Sequence, residues 1–190
     1  MPVEIEAKIK VPDLEPTRRK LRELNAASDR LRLEINTFFD TEDGSLKAAD
    51  KGLRVRINRF PQSGKEEAII TFKGPRQAGP FKSREETELN IDDAKTAAKL
   101  FTALGFPPVL SFEKRRESWK LDGCHVELDE LPYLGTFVEI EGPSDEVVKK
   151  TQEKIGLKGL KPVKESYIGM LMEYLKENGI TDRVIGFEQR

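Results

Sequence analysis

Acidic and basic side chains recur at every second position along several stretches of this chain. The segment EIEAK near the N-terminus sets Glu4, Glu6 and Lys8 in that spacing, with Ile5, Ala7 and Ile9 alternating with them. The pattern returns as Arg54/Arg56, Thr71/Lys73, Arg84/Glu86/Glu88, Lys114/Arg116, Glu127/Asp129 and Glu139/Glu141. In extended backbone alternate residues share a face, so each set occupies one side of its strand. For any single strand this describes an ordinary solvated sheet face. Taken together the positions are almost all charged and nearly balanced in sign, where a solvated face would mix in Ser, Thr, Gln and Asn. If the sheet curls so that this face turns inward, the charges must pair or hold ionic ligands. Lys8, Arg54, Arg56, Lys73, Arg84, Lys114 and Arg116 suit a ligand with several negative charges, since Arg forks match phosphate oxygens. Glu4, Glu6, Glu86, Glu88, Asp129, Glu139 and Glu141 would repel that ligand unless Mg²⁺ or Mn²⁺ bridges carboxylate to phosphate. Mixed signs on one face therefore point to metal-assisted phosphoryl chemistry.

The intervening residues Ile5, Val55, Ile70, Phe72, Leu89, Phe112, Val126, Leu128, Val138 and Ile140 are expected to form the opposite, helix-covered face. After the first strand, Asp13 is a plausible N-cap for a helix of about three turns carrying Leu14, Leu21 and Leu24. RLRLEINTFFD over 30–40 alternates with Leu31, Leu33 and Ile35 on one face, and TEDGSLKAAD follows as a turn-rich connection. GLRVRINRF and EEAIITFKG read as two further strands, and GPRQAGPF over 74–81 as a mobile loop, with two glycines and two prolines. SREETELNI is a strand, and DDAKTAAKLFTALGF a capped helix with an apolar stripe of Ala97, Leu100, Phe101 and Leu104. VLSFEKRRESWKL, CHVELDEL after an Asp122-Gly123 turn, and YLGTFVEIEG complete eight strand-like segments. Ser144 caps one helix, and ESYIGMLMEYLKENG makes another, ended by Gly179. ITDRVIGFEQR has no clear period. The reading is an α+β protein on one large antiparallel sheet, and eight such strands can close into a β-barrel, which removes exposed edges. Residues 1–178 are taken as one domain and 179–190 as a C-terminal tail.

With 33 Lys+Arg against 34 Asp+Glu, the formal net charge of -1 offers no bulk attraction for nucleic acid or an anionic membrane. Cys124 is the only cysteine, which excludes an intramolecular disulfide and suits a reducing compartment. His125 is the only histidine and reads as a surface or packing residue, and Cys124 as inert. No apolar run reaches membrane-spanning length, so a cytoplasmic location is expected, with no membrane partner.

The ordered series of motifs resembles the CYTH superfamily, or triphosphate tunnel metalloenzymes, which includes class IV adenylyl cyclases, thiamine triphosphatases and inorganic triphosphatases. EIEAK fits the family's ExExK motif; FFDT (38–41), LRVR (53–56), TFKGP (71–75) and REETE (84–88) follow in family order, then EKRR, VELDEL, LGTFVEIE and the pair Ser166-Tyr167. The resemblance implies an eight-stranded antiparallel tunnel with flanking helices that binds a triphosphate with one or two divalent ions, Mg²⁺ or Mn²⁺. By motif position, Glu4 and Glu6 with Glu139 or Glu141 would hold metal, and Glu86, Glu88 and Asp129 a second ion or the basic residues. Arg54, Arg56, Lys73, Arg84, Lys114 and Arg116 would grip phosphate oxygens, and Lys8 would act at the scissile phosphoryl group. An aromatic followed by Asp in the second strand is often Tyr in relatives; Phe39 stands here and excludes a phenolic role.

The resemblance implies metal-dependent hydrolysis of a small-molecule triphosphate (inorganic tripolyphosphate, a nucleoside or thiamine triphosphate), with class IV adenylyl cyclase and a non-catalytic polyphosphate-binding module as rivals. From its composition and position, GPRQAGPFKS over 74–83, with Arg76 and Lys82, is expected to close over the tunnel mouth as a lid. The stripe Ile168, Leu171, Met172 and Leu175 leaves monomer and homodimer both open.

Overall fold

The computed structural model describes residues 3–76 and 82–188, with the side chains of 3, 4, 82 and 83 outside that description. Its strands are β1 (Val3–Val11), β2 (Ala27–Phe39), β3 (Gly52–Phe60), β4 (Lys65–Lys73), β5 (Lys82–Ile91), β6 (Pro108–Leu121), β7 (Cys124–Leu131), β8 (Gly135–Gly142) and β9 (Val184–Ile185). The helices are α1 (Glu15–Glu23), α2 (Ser45–Ala48), α3 (Ala94–Ala103), α4 (Asp145–Lys154) and α5 (Tyr167–Glu177). All strands join one sheet in the order β2-β3-β4-β5-β1-β8-β7-β6-β9, and β2 also pairs with β6. Every pairing is antiparallel except that of β9, which runs parallel to β6.

The expected strands are present, including the hairpin at Asp122-Gly123, where φ values of 51° and 79° match a type I′ turn. Two short elements lacked a sequence signal. Helix α2 lies inside the turn-rich 41–50 stretch, because Asp40 accepts from the Leu46 and Lys47 amides at 2.8 and 3.0 Å. Strand β9 comes from the aperiodic tail, which docks on β6: the Ser111 amide donates to the Arg183 carbonyl, and the Phe187 amide to Glu113. Asp13 stands one residue before the observed cap, Leu14, and accepts from the Glu15 amide. The loop expected over 74–81 falls mostly on 77–81, outside the described residues.

Three apolar clusters hold the sheet. Ala7, Ile9, Val126, Leu128, Val138 and Ile140, the residues between the charges, pack under α1 and α4 through Leu21, Val148 and Ile155. Phe39 and Val55 meet α3 through Ala97 and Phe101, while Leu100 and Leu104 of the expected stripe face outward. Leu89 is likewise exposed and Phe72 marginally so, because α3 contacts mainly β3. Phe112 corrects the expected outer face: it shares the parity of Lys114 and Arg116 and packs with Leu110, Leu131, Phe137 and the α5 residues Leu171 and Leu175. The charged face therefore turns apolar at one end, where α5 covers it.

Gly142, at the end of β8, passes so close to its neighbours that an added Cβ would lie 2.8 Å from Cys124 Sγ and 3.0 Å from Val148 Cγ2. Both are buried at the α4 contact. Gly142→Ala is expected to lower stability by about 1–3 kcal/mol. Cys124→Ala in the same chain should recover part of that loss, measured as a double-mutant cycle in urea unfolding.

Candidate functional site

The registers put the alternating charges of all eight long strands on one face. Lys8 stands opposite Glu139, Glu6 opposite Glu141, Glu4 opposite Arg84, Thr71 opposite both Arg54 and Glu88, Lys73 opposite Glu86, and Arg116 opposite Asp129. The β2–β6 pairing adds Glu34 opposite Lys114. Much of this face is shut off from water: Lys8, Glu34, Asn36, Lys114 and Asp129 are at most 2% exposed. The Glu4 side chain lies outside the described residues.

On β6, β7 and β8 the charges neutralise each other. Arg116 donates Nε and Nη2 to the two oxygens of Asp129, both at 2.6 Å, and also bonds Glu139. Lys114 reaches Asp129 at 3.3 Å, and Glu127 takes the Ser118 hydroxyl at 2.5 Å. Arg116 is desolvated, yet the surrounding Asp129, Glu139, Glu34 and Glu127 carboxylates hold its pKa well above the usual range. Tyr167, first residue of α5, donates its hydroxyl to Asp129 at 2.9 Å, and burial together with Asp129 and Glu139 pushes its pKa up. Its ring lies 4.3 Å from Lys8 Nζ and 5.3 Å from Lys114 Nζ, a cation–π contact with each. The pairing of β1 with β5 covers residues 3–6 only, and the Val163 amide donates to the Lys8 carbonyl at 2.6 Å, which leads the chain toward α5.

Glu34 is a central residue that the period-two reading passed over, because its neighbours Leu33 and Ile35 read as the face that mattered in β2. Arg32 Nε donates to its Oε1 at 2.9 Å, and Arg56 and Lys114 each approach Oε2 at 3.1 Å without directing a hydrogen bond at it. Burial alone would raise this carboxyl, but Arg56, Lys114, Arg116 and Arg32 outweigh it and hold the pKa well below the glutamate range. Asn36 and Tyr167 were likewise given no role by spacing; Ser166-Tyr167 was visible only as a motif pair. Asp40 of FFDT serves as the anchor of α2, and Phe39 points to the α3 core, so Phe38 is the aromatic on the charged face, stacked on Phe112 at 5.8 Å.

On β3, β4 and β5 positive charge is in excess. Arg54 is 7% exposed, donates to Thr71 at 2.8 Å and lies 3.8 Å from Glu88, but its Nε has no hydrogen-bond partner among the described residues. Desolvation first, then Arg56, lowers its pKa to about 9. Burial and Arg54 also lower Lys73, despite its ion pair with Glu86. Arg84 has a buried, unpartnered Nε and meets Asp50 at 3.4 Å, and the same Asp50 accepts from Arg76 Nε and the Arg76 amide. Asp129, Glu139 and Glu86 are engaged with cations, and Glu6 and Glu141 sit opposite each other at the β1–β8 register. Among the described residues no three acidic, His or Cys groups converge as a metal cluster.

Glu34→Gln should leave four cations without their common counter-charge and lower stability by about 3–5 kcal/mol at neutral pH. Because the folded pKa is depressed, this contribution is complete above the ordinary glutamate pKa and is lost as pH falls through the folded value. The wild-type advantage in urea unfolding is therefore expected to be full at pH 7 and to shrink steadily in acid.

The chain is 32% identical over 147 residues to adenylate cyclase CyaB of Aeromonas hydrophila, covering 75% of this chain and 70% of the relative. It is 28% identical over 148 residues to a provisionally named adenylate cyclase of Methanocaldococcus jannaschii, covering 78% and 81%. The solved structure of the PH1819 protein from Pyrococcus horikoshii superposes with a TM-score of 0.78 at 29% identity, over 90% of this chain and 99% of the other. A CYTH domain is matched over residues 2–167, so the chain belongs to the CYTH family.

Proposed function

We propose that this protein binds a triphosphate within a closed eight-stranded tunnel and hydrolyses it with the help of a divalent cation. The observation that carries the reading is Arg54. This buried guanidinium, whose Nε has no hydrogen-bond partner among the described residues, whose pKa is pulled down to about 9 and whose carboxylate contact, Glu88 at 3.8 Å, is long, has hydrogen-bonding capacity to offer an anion. Arg84, Lys73 and Arg56 stand on the same face, and Arg forks suit phosphate oxygens. Closure into a tunnel is supported by β2 pairing with both β3 and β6, which gives each of β1–β8 a neighbour on both sides.

In this reading Arg54, Arg56, Lys73 and Arg84 grip phosphate oxygens from one wall. Lys114 and Arg116 face them from the other, with Asp129 orienting these two cations, since its oxygens are already engaged by both. Lys8, held under the Tyr167 ring, neutralises charge that develops at the scissile phosphoryl group. Glu6 and Glu141, with Glu4 next in the series, are the donors suited to a Mg²⁺ or Mn²⁺ ion whose other ligands are phosphate oxygens. Such an ion supplies charge neutralisation and alignment of the phosphates. Glu139, Glu86 and Glu88 balance Arg116, Lys73 and Arg54. Hydrolysis demands least of the site, a gripped triphosphate and a water. Cyclisation of ATP is the second reading, favoured by the name of the A. hydrophila relative; it needs in addition the ribose 3′-hydroxyl in line with the α-phosphorus. Substrate is taken to be a small molecule. The whole matched domain acts as one unit in this reading, with residues 179–190 as an appended tail. No helix among the described residues is long and apolar enough to cross a membrane; a cytoplasmic site of action and a monomeric or homodimeric state complete the proposal.

Incubation with Mg²⁺ or Mn²⁺ and tripolyphosphate, ATP or thiamine triphosphate, followed by product separation, tests the reaction. Metal-dependent release of phosphate is expected; cyclic AMP with pyrophosphate would establish the second reading, and binding without turnover a binding module. Arg54→Met tests the anion site. At neutral pH the guanidinium is charged in the fold at a free-energy cost that is relieved only as pH rises above about 9. The variant should therefore unfold roughly 2–4 °C higher without ligand, for a gain of about 1 kcal/mol, while losing at least tenfold in tripolyphosphate affinity by calorimetry.

A further inference from the structure

Two surface features far apart in the sheet have no part in the phosphate site. The first is a cleft of about 520 Å³ between the turn that follows β2 and the end of α3, lined by Glu42, Asp43, Thr102, Gly105 and Pro107. Leu104, set between two of these lining residues in the chain, and Leu100, one turn back, are each more than half exposed. Four residues apart, they share one side of α3 and leave an apolar strip beside an acidic rim. Neither carboxylate has an ion-pair partner among the described residues; Asp43 accepts from the Thr41 hydroxyl at 2.6 Å. The second feature is the segment 156–165 between α4 and α5. Lys158, Lys161 and Lys164, all exposed, flank Leu160, which is nearly half exposed. Leu157 is buried in the core, the Gln152 side-chain amide donates to the Leu157 and Leu160 carbonyls at 3.0 and 2.9 Å, and Gly159 turns the chain at a φ of 81°. These contacts fix the segment in one shape. Lys158 has a distant ion pair with Glu153 at 3.8 Å, and Lys161 and Lys164 have none among the described residues.

The two surfaces are complementary in kind. An exposed leucine gains by burial only where another apolar surface receives it, and lysines around it favour carboxylates at the rim. Glu42 and Asp43 beside Leu100 and Leu104 offer both. The formal net charge of -1 leaves copies of the chain little general repulsion to overcome. One chain does not bring its own two surfaces together. Segment 156–165 is tied to β1, where the Val163 amide donates to the Lys8 carbonyl at 2.6 Å, whereas the cleft lies where β2 ends and β6 begins. In the sheet order β1 is four strands from β2 in one direction and, through the β2–β6 pairing, four in the other. A contact between these surfaces is therefore heterologous, with the segment of one copy in the cleft of the next and no two-fold axis to close the pair.

We propose that copies of this chain associate head to tail, with Leu160 of one copy seated in the cleft beside Leu100 and Leu104 of the next, and Lys158, Lys161 and Lys164 set against Glu42 and Asp43. The interface uses no residue of the charged sheet face, so it stands apart from the triphosphate reading, and the monomer is the dilute state. The fixed shape of segment 156–165 lowers the ordering cost of the contact.

Sedimentation equilibrium of the full chain tests this. The weight-average mass of wild type is expected to rise with protein concentration at low salt, and Asp43→Lys to weaken the association about tenfold there and less at high salt. Leu100→Asp damages only the cleft and Leu160→Asp only the segment, so each variant alone should stay monomeric where wild type associates. Mixed in equal amounts, the two should form a dimer and nothing larger, because the intact segment of the first fits the intact cleft of the second while the two altered surfaces repel. Leu104→Asp takes the place of Leu100→Asp should that variant fail to fold. A wild type that stays monomeric at every concentration and salt overturns the proposal. So does a mixture that remains monomeric, or a pair of variants that associate as wild type does, since the copies then meet through another surface.

Discussion

Charge carried on a buried sheet face has to be neutralised on that face, since no solvent is there to do it, and an unpaired ion costs several kcal/mol. In this chain the neutralisation depends on strand register. Arg116 meets both oxygens of Asp129 because β6 and β7 pair at that position, and Glu34 meets Lys114 because β2 and β6 do. A shift of one residue would turn Val126, Leu128 and Ile140 onto the charged face and send carboxylates into the core beneath α4. The apolar clusters under α1, α3 and α4 therefore fix the charges as much as the charges fix the site.

The balance is uneven across the face, and that unevenness carries the functional argument. The β6–β8 wall is nearly self-contained: one guanidinium, Arg116, is shared by Asp129, Glu139, Glu34 and Glu127. The β3–β5 wall keeps cations whose hydrogen-bonding capacity is not spent, Arg54 and Arg84. In the proposed reading a polyanion completes the second wall, and the carboxylates of β1 and β8 would hold its metal. Helix α5 joins the two requirements, since its first residue, Tyr167, touches Asp129 with its hydroxyl and Lys8 and Lys114 with its ring. Docking of α5 on Phe112, Leu131 and Phe137 thus bears on the position of Lys8 and Lys114.

Much of this was legible in the residues. The period-two charges, the hairpin at Asp122-Gly123, the caps at Asp93 and Ser144 and the motif series from EIEAK to LGTFVEIE are local features, and strand geometry converts each directly into a face or a boundary. Glu34 and Asn36 escaped notice because β2 is amphipathic in an ambiguous way: Leu31, Leu33 and Ile35 alternate with Arg32, Glu34 and Asn36, and an isolated strand does not reveal that its polar side will be the buried one. Phe112 was misjudged for the same reason in reverse. Apolar side chains were assumed to avoid the charged face, yet the end of that face under α5 is apolar.

By itself, the sequence determined which residues share a strand face, that the faces carry opposite charges in near balance, and membership of the CYTH family. Only the tertiary structure decided which of those charges are spent on one another and which, like Arg54 and Arg84, keep a buried Nε without a hydrogen-bond partner among the described residues. The physical reason is that pairing across a sheet follows strand order, not chain order: β1 lies between β5 and β8, and β2 between β3 and β6. EIEAK could announce that Lys8 faces its carboxylate neighbours. It took the folding of distant strands and α5 to place Glu139 beside it and Tyr167 over it.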